Sequence, residues 1–127
     1  MISRRAGRAA PGRGGFRISR VRLGGGVVVE VAGELDVCSS HTLREKLSAA
    51  ADSGASPLVV DLTELRFIDS TGLGVLVMLW RRLEPEAGLA IICPEGRVCR
   101  TLALAGLDRM IPVFSTRSEA LCSEVAA

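Results

Sequence analysis

The sequence predicts an α/β domain with a mixed, mostly parallel sheet and the element order β-β-α-β-α-β-α-β-α. Short apolar runs bounded by Gly and Pro alternate with segments whose apolar residues are spaced three and four apart. The chain has 127 residues, of which 48% are hydrophobic, enough for one core. Strands that alternate with helices favour right-handed parallel crossovers, and we expect one antiparallel edge strand at the N-terminus.

The first three predicted elements are a strand pair followed by a helix. Residues 16–23 alternate imperfectly between apolar and basic types, residues 24–26 are three glycines that form a turn, and residues 27–32 read Val-Val-Val-Glu-Val-Ala. Polar residues at 39–42 then precede apolar residues on one helical face. We expect this helix to end near residues 52–54.

The second half repeats a strand-then-helix pattern. Residues 58–60 form a continuous apolar run, typical of a central strand that is covered on both faces. The next helix is predicted to bury Leu73, Leu76, Val77, Trp80 and Leu83. The remaining predictions are a strand at 89–93, a helix at 97–105, a short strand at 110–114 and a last helix from Ser118.

The N-terminal segment differs from the rest in charge. It carries four Arg and no acid within residues 1–15, and removing these charges from the formal +2 leaves −2 for the remainder. The segment is rich in Gly, Ala and Pro without apolar periodicity, which predicts a disordered basic tail at 1–15 ahead of a folded domain at 16–127. Contact of this tail with nucleic acid or an anionic surface is the alternative. The N-terminal segment has neither the apolar centre of a secretory signal nor a convincing amphipathic transit helix. We therefore expect a cytoplasmic protein that does not bind membranes.

Cysteine and histidine show no metal-binding pattern. The four cysteines include no CxxC pair, and His41 is the sole histidine, so we expect no metal and no cofactor. Reduced, buried thiols are the default expectation for a chain with its own apolar core. Cys38 is the exception to consider, because it follows Asp36 closely and its oxidation is an alternative means of control.

The most distinctive segment is Phe-Ile-Asp-Ser-Thr-Gly-Leu-Gly at residues 67–74, where a strand gives way to a helix. The first turn of a helix offers unpaired N–H groups and the positive end of its dipole. Ser70 is a good N-cap residue type, and Gly72 and Gly74 leave backbone open to a partner. A phosphate on Ser70 would add about −1.5 to −2 charges beside Asp69 and would be desolvated on binding. The segment therefore suits both a binding surface and its off switch, although helix capping alone also explains Ser70.

Three segments together resemble the STAS domain of bacterial anti-sigma-factor antagonists: Gly-Glu-Leu-Asp at 33–36, Val-Val-Asp-Leu at 59–62, and residues 67–74. The resemblance implies a STAS-like fold. In this family the unmodified antagonist binds an anti-sigma factor that is also a serine kinase, which frees the sigma factor. Phosphorylation ends the binding, and a serine phosphatase restores it; ATP and Mg²⁺ belong to the kinase.

The resemblance implies that Ser70, directly after Asp69, is the phosphorylation site. It also implies a partner-binding surface that comprises Asp36, Asp69, Ser70, Thr71, Gly72, Leu73 and Gly74. Helix capping is the alternative for Asp36 and Asp69, and Thr71 is the nearest competing acceptor. Because Asp36 and Ser70 follow neighbouring strands, we expect them at one edge of the sheet. Asp61 is expected to satisfy loop N–H groups.

Enzymatic and nucleic-acid-binding interpretations find little support. A nucleophile elbow requires a Gly two residues before the serine, which is missing here, and residues 72–74 do not form a phosphate-binding loop. Aromatic residues are 3% of the chain, and Phe67, Trp80 and Phe114 occupy core-like positions. We predict that the chain is neither an enzyme nor a direct nucleic-acid binder. The alternative function is a STAS-like ligand-sensing or scaffold module of another signalling or transport assembly.

Overall fold

Five strands form one sheet in the computed structural model, which describes residues 15–24, 26–83 and 88–121. The strands are β1 (Arg17–Leu23), β2 (Gly26–Leu35), β3 (Leu58–Ile68), β4 (Leu89–Ile92) and β5 (Val113–Phe114). The helices are α1 (Val37–Asp52), α2 (Ser70–Arg82), α3 (Arg97–Leu104) and α4 (Arg117–Leu121), with a 3₁₀ turn at Leu107–Arg109. β1 pairs antiparallel with β2 and the other neighbours pair in parallel, which confirms the predicted fold class.

The larger core lies between one face of the sheet and the helices α1, α2 and α3. Its fully buried side chains include Leu35, Leu43, Leu47, Leu62, Leu76, Leu79 and Leu102. Each contributes about 1.5–3 kcal/mol relative to an exposed position. This core fixes where α1 and α2 begin relative to the sheet.

The opposite face of the sheet packs against α4. Val28, Val59 and Ala120 belong to this second cluster, while Leu58 and Val60 point into the larger core. The prediction that the strand at 58–60 is covered on both faces is therefore confirmed.

An ionic contact also holds α4 to this face. Arg117 Nη2 donates to Glu30 Oε2 at 2.7 Å and to Asp61 Oδ2 at 2.9 Å. Burial disfavours the charge of Arg117, but the hydrogen bonds to Asp61 and Glu30 outweigh burial and raise its pKa. The guanidinium thus joins β2 and β3 to the last described helix.

β3 is longer than the sequence predicted. It continues through residues 63–68, where β2 is its strand partner because the pairing with β4 ends at Asp61. Asp61 lies inside the strand, accepts a hydrogen bond from the Thr63 N–H at 2.9 Å and pairs with Arg117. The prediction that Asp61 serves a loop was wrong, because the strand had not ended there.

The buried face of α2 is rotated from the predicted one. Gly72, Val75, Leu76 and Leu79 are buried, whereas Leu73, Val77 and Trp80 are half-buried. The prediction is thus confirmed only in part: Leu76 is buried, and the half-buried residues still pack against the edge of the core. Gly72, which does not count as apolar in a periodicity search, takes a central place on the buried face.

The structure also differs from the sequence prediction in the bounds of β5 and in the burial of the aromatic residues. β5 spans Val113–Phe114 rather than 110–114, since the 3₁₀ turn occupies part of that connection. Phe67 is 45% exposed, so its assignment to the core was wrong, and Trp80 and Phe114 are half-buried. Residues 1–14 of the predicted tail and Cys122 lie outside the described residues.

Candidate partner-binding site

Asp69 is the N-cap of α2. Its Oδ1 accepts hydrogen bonds from the N–H groups of Thr71 at 2.9 Å and Gly72 at 3.2 Å, and from Thr71 Oγ1 at 2.5 Å. Ser70 is the first helical residue, so of the two capping alternatives that the sequence left open, the structure shows the one at Asp69. The extended backbone at Asp69 places its carboxylate where it accepts from the first N–H groups of the helix.

The Ser70 side chain is exposed. Its hydroxyl forms no hydrogen bond to another group within residues 15–24, 26–83 and 88–121. Because Asp69 does the capping, modifying Ser70 would leave the cap intact. The hydroxyl is therefore accessible and takes no part in capping α2.

Asp36 caps α1 in the same way. Its Oδ1 accepts from the N–H groups of Cys38 at 3.0 Å and Ser39 at 3.1 Å, and Ser39 Oγ accepts from the Asp36 N–H at 3.0 Å. The Ser39 N–H holds the pKa of Asp36 below its ordinary value of 3.8, so the carboxylate is ionised at neutral pH. The structure therefore shows the capping role that the sequence left open.

In both capping residues, Asp36 and Asp69, one carboxylate oxygen takes no part in capping. All hydrogen bonds to the carboxylates of Asp36 and Asp69 from the described residues go to Oδ1. Oδ2 of each carboxylate is thus without a partner in this part of the chain. Capping and partner contact are compatible roles for both residues.

Sheet pairing brings the two caps to one edge. β2 and β3 run in parallel with Leu35 opposite Ile68, and the Asp69 N–H donates to the Leu35 carbonyl oxygen at 3.1 Å. α1 and α2 start directly after these strands, so the positive ends of both helix dipoles lie at this edge. The expectation that Asp36 and Ser70 share one edge is confirmed.

Gly72 and Gly74 have different surroundings. A Cβ on Gly72 would lie 2.7 Å from both Cγ and Cδ2 of Leu35 and 2.9 Å from Cγ1 of Ile68. Gly72 is buried, so the prediction that it contacts a partner gives way to a packing role. Gly74 is exposed, with nothing within 4 Å of an added Cβ. Of the two glycines, the second leaves backbone uncovered at the surface.

The other predicted site residues, Thr71 and Leu73, lie in the first turn of α2 at the same edge of the sheet. The exposed Thr71 donates its hydroxyl hydrogen bond to Asp69, and Leu73 is half-buried against the core. Thr71 thus supports the cap, while part of the Leu73 side chain is accessible at the surface.

Sequence reasoning missed two exposed apolar residues beside the site. Val37, directly after Asp36, is 66% exposed, and Phe67 is 45% exposed. A register shift in β3 pairs Gly33 with Leu65 but Glu34 with Phe67, so the alternation of faces breaks at this point. Nothing in the alternation of residues 63–68 reveals such a bulge.

The cysteines differ from one another. Cys38 is exposed, which contradicts the default expectation of buried thiols, while Cys93 is buried and Cys99 is half-buried. Burial raises the pKa of the Cys93 thiol to about 12, so this thiol is neutral at physiological pH. No group of three or more His, Cys, Asp or Glu side chains in the described ranges is arranged to hold a metal ion.

The fold and this corner define a known class of regulatory domain. Residues 17–120 match the STAS domain family. The chain therefore belongs to the STAS domain family, as its motifs predicted.

Within this family, the chain is similar to several proteins named as anti-sigma factor antagonists. The chain is 37% identical over 94 residues to the anti-sigma-B factor antagonist of Bacillus subtilis, covering 73% of this chain and 84% of that protein. An anti-sigma factor antagonist from Mycobacterium paratuberculosis has a similar structure, with a TM-score of 0.81 and 28% identity over 84% of this chain and 91% of that one. The Bacillus cell fate determinant SpoIIAA, in its phosphorylated form, gives a TM-score of 0.59 and 28% identity over 84% and 96% of the two chains.

Within residues 15–24, 26–83 and 88–121, no helix combines the length and the hydropathy that crossing a membrane requires.

Proposed function

We propose that this protein is a cytoplasmic anti-sigma-factor antagonist whose binding is ended by phosphorylation of Ser70. Its partner is an anti-sigma factor with serine kinase activity, and binding releases the sigma factor for transcription. The observation that carries the proposal is the exposed Ser70 hydroxyl, which directly follows the capping Asp69 on the sheet edge shared with Asp36. The anti-sigma names of the relatives and the phosphorylated form of SpoIIAA support it.

The electrostatics of the corner explain how a phosphate ends binding. The unmodified edge presents the carboxylates of Asp36 and Asp69 beside apolar Val37 and Phe67. A phosphate adds about −1.5 to −2 charges at Ser70, and covering this surface would strip it of water. In the free protein the first turn of α2 and the solvent stabilise the same phosphate. The phosphate therefore weakens the complex without destabilising the fold of the free protein.

The antagonist itself supplies only the acceptor hydroxyl. A bond forms between Ser70 Oγ and the γ-phosphorus of ATP as the bond to ADP breaks, and the hydroxyl proton leaves to a base of the kinase. A serine phosphatase reverses the modification with water, which returns the hydroxyl and releases inorganic phosphate. ATP and Mg²⁺ bind to the kinase, and we assign this chain no catalytic role.

Incubation with candidate anti-sigma kinases and ATP tests the partner and the acceptor together. Mass spectrometry should place one phosphate on Ser70, and Ser70→Ala should take up none. Thr71→Val is the matched control and should be modified like the wild type. Modification of Thr71 instead, or no complex with any anti-sigma factor from the same genome, would contradict the proposal.

A further inference from the structure

A shallow groove runs along the outer side of α2. Its volume is about 500 Å³, and it is lined by Gly74, Val77, Met78, Arg81 and Arg82. Since an α-helix has 3.6 residues per turn, Ser70, Gly74, Val77 and Arg81 form one stripe. The groove and the exposed Ser70 hydroxyl therefore lie on the same side of α2.

The bare floor of the groove at Gly74 is not required by the fold. Its φ lies outside the left-handed region, and an added Cβ would have nothing within 4 Å. Alanine would fit and is more favourable than glycine inside a helix. At Gly72 the opposite holds, because a Cβ would collide with Leu35 and Ile68. Packing explains Gly72, whereas no contact of the described fold requires glycine at position 74.

The walls of the groove indicate what would bind there. Val77 and Met78 are half-buried and present apolar surface beside Gly74. Arg81 is exposed and has no ion pair with a described carboxylate, whereas Arg82 pairs with Asp52. The groove therefore offers a close approach in its middle and a cationic group at its far end.

We propose that this groove, the α2 groove, seats a segment of the anti-sigma factor that is apolar and carries a carboxylate. That segment passes over Gly74 with a small or apolar side chain and sets its carboxylate against Arg81. The proposal rests on the proposed function, and it extends the docking surface along α2 by about 16 Å, the length of eleven helical residues. The Ser70 phosphate would then stand at one end of the groove, opposite the Arg81 end.

Titration calorimetry with the cognate anti-sigma factor tests the groove through substitutions that spare the core. Gly74→Ala should weaken binding at least threefold and Gly74→Leu at least thirtyfold, because each fills the close approach. Arg81→Glu should weaken binding at least tenfold. The matched controls are Ala103→Leu and Arg100→Glu, at exposed positions of α3, and they should bind within twofold of the wild type.

The outcomes separate the groove from the switch. If Gly74→Leu and Arg81→Glu bind like the wild type while phosphorylated Ser70 binds weakly, the groove proposal is wrong and the proposed function stands. If the unmodified wild type binds no anti-sigma factor, both proposals fail. If the free protein forms dimers that Gly74→Leu dissociates without changing anti-sigma affinity, a second copy occupies the groove and this proposal is overturned. Melting temperatures confirm that each variant is folded, and Arg81→Glu alters no core contact.

Discussion

At the start of α2, Asp69 caps the helix and its neighbour Ser70 carries the hydroxyl of the proposed switch. Asp69 satisfies the first N–H groups of the helix, and Ser70 is thereby left with an exposed hydroxyl. Had the serine been the cap, its phosphorylation would have altered the helix terminus itself. In the proposed switch, phosphorylation would therefore change the surface charge and leave the cap in place.

This division predicts opposite sensitivities for two neighbouring residues. Ser70→Ala should change the free energy of unfolding by less than about 0.5 kcal/mol, since it lies on the surface without a described contact. Asp69→Ala should cost about 1 kcal/mol, because it removes the cap. Urea denaturation measures both. A loss at Ser70→Ala as large as that at Asp69→Ala would show that the hydroxyl has a structural role.

The two glycines after Ser70 should also respond in opposite directions. Gly72→Ala should destabilise the protein by about 1–3 kcal/mol, because its Cβ overlaps Leu35 and Ile68. Gly74→Ala should stabilise it by up to about 1 kcal/mol, because alanine is the better helix former and has open space. Thermal unfolding distinguishes them. Equal effects would mean that α2 does not pack on the strands as described.

Capping of α1 by an ionised carboxylate makes part of the stability depend on pH. The pKa of Asp36 is lower in the folded state than its ordinary value of 3.8. Its contribution is therefore fully present well above pH 3.8 and is lost as the pH falls through the lowered folded value. Asp36→Ala should be less stable than the wild type at neutral pH, and the gap should narrow in acid.

Denaturant titrations between pH 2 and pH 7 measure this gap. Ser70→Ala serves as the control, because removing a neutral hydroxyl should leave the pH dependence unchanged. A gap between Asp36→Ala and the wild type that stays constant across the range would contradict the assignment of the cap to the ionised carboxylate.

Arg117 adds an ionic contact to the apolar packing of α4 on the sheet. This side chain joins Glu30 and Asp61 from adjacent strands; Arg117 and Glu30 are partly exposed, and Asp61 is buried. Arg117→Met should cost about 1–3 kcal/mol, because two carboxylates are left close together without their cation. Unfolding measurements with Arg100→Met as the surface control test this. No loss of stability would show that α4 is held by apolar contacts alone.

Element types were predictable because they depend on local patterns, but the face of α2 was not. Periodicity found the helix, yet it centred the buried face on Val77 and Trp80, which are half-buried at the edge of the core. The buried residues Val75 and Leu79 were not selected. The actual orientation follows from a glycine that fits closely against Leu35 and Ile68, a tertiary contact with no signature in hydropathy. The same limit applies to Phe67, whose exposure results from a register shift between β2 and β3.

The parallel sheet assembles the candidate site from segments distant in sequence. The motifs after β2 and β3 were recognisable separately, and the rule that parallel strands end at one edge was enough to place them together. What the motifs did not reveal was which residue caps α2. That outcome depends on the backbone conformation at Asp69, which determines whether its carboxylate or the Ser70 hydroxyl faces the free N–H groups.

In the proposed function, the fold of the whole molecule stays the same and only the phosphorylation of Ser70 changes. The sheet and its two cores set the positions of both helix starts, and phosphorylation changes the charge at the shared edge without a required change of fold. Affinity for the partner should thus change while stability does not. A phosphate that costs about 4 kcal/mol at the interface would weaken binding roughly a thousandfold.

The most direct measurement compares the affinity of the cognate anti-sigma factor for the unmodified protein and for the same protein stoichiometrically phosphorylated at Ser70. Titration calorimetry at one ionic strength gives both dissociation constants, and melting curves confirm that both forms are folded. The account predicts tight binding by the unmodified form and binding weaker by at least about a hundredfold, or 2.7 kcal/mol, after phosphorylation. Equal dissociation constants for two folded forms would contradict it.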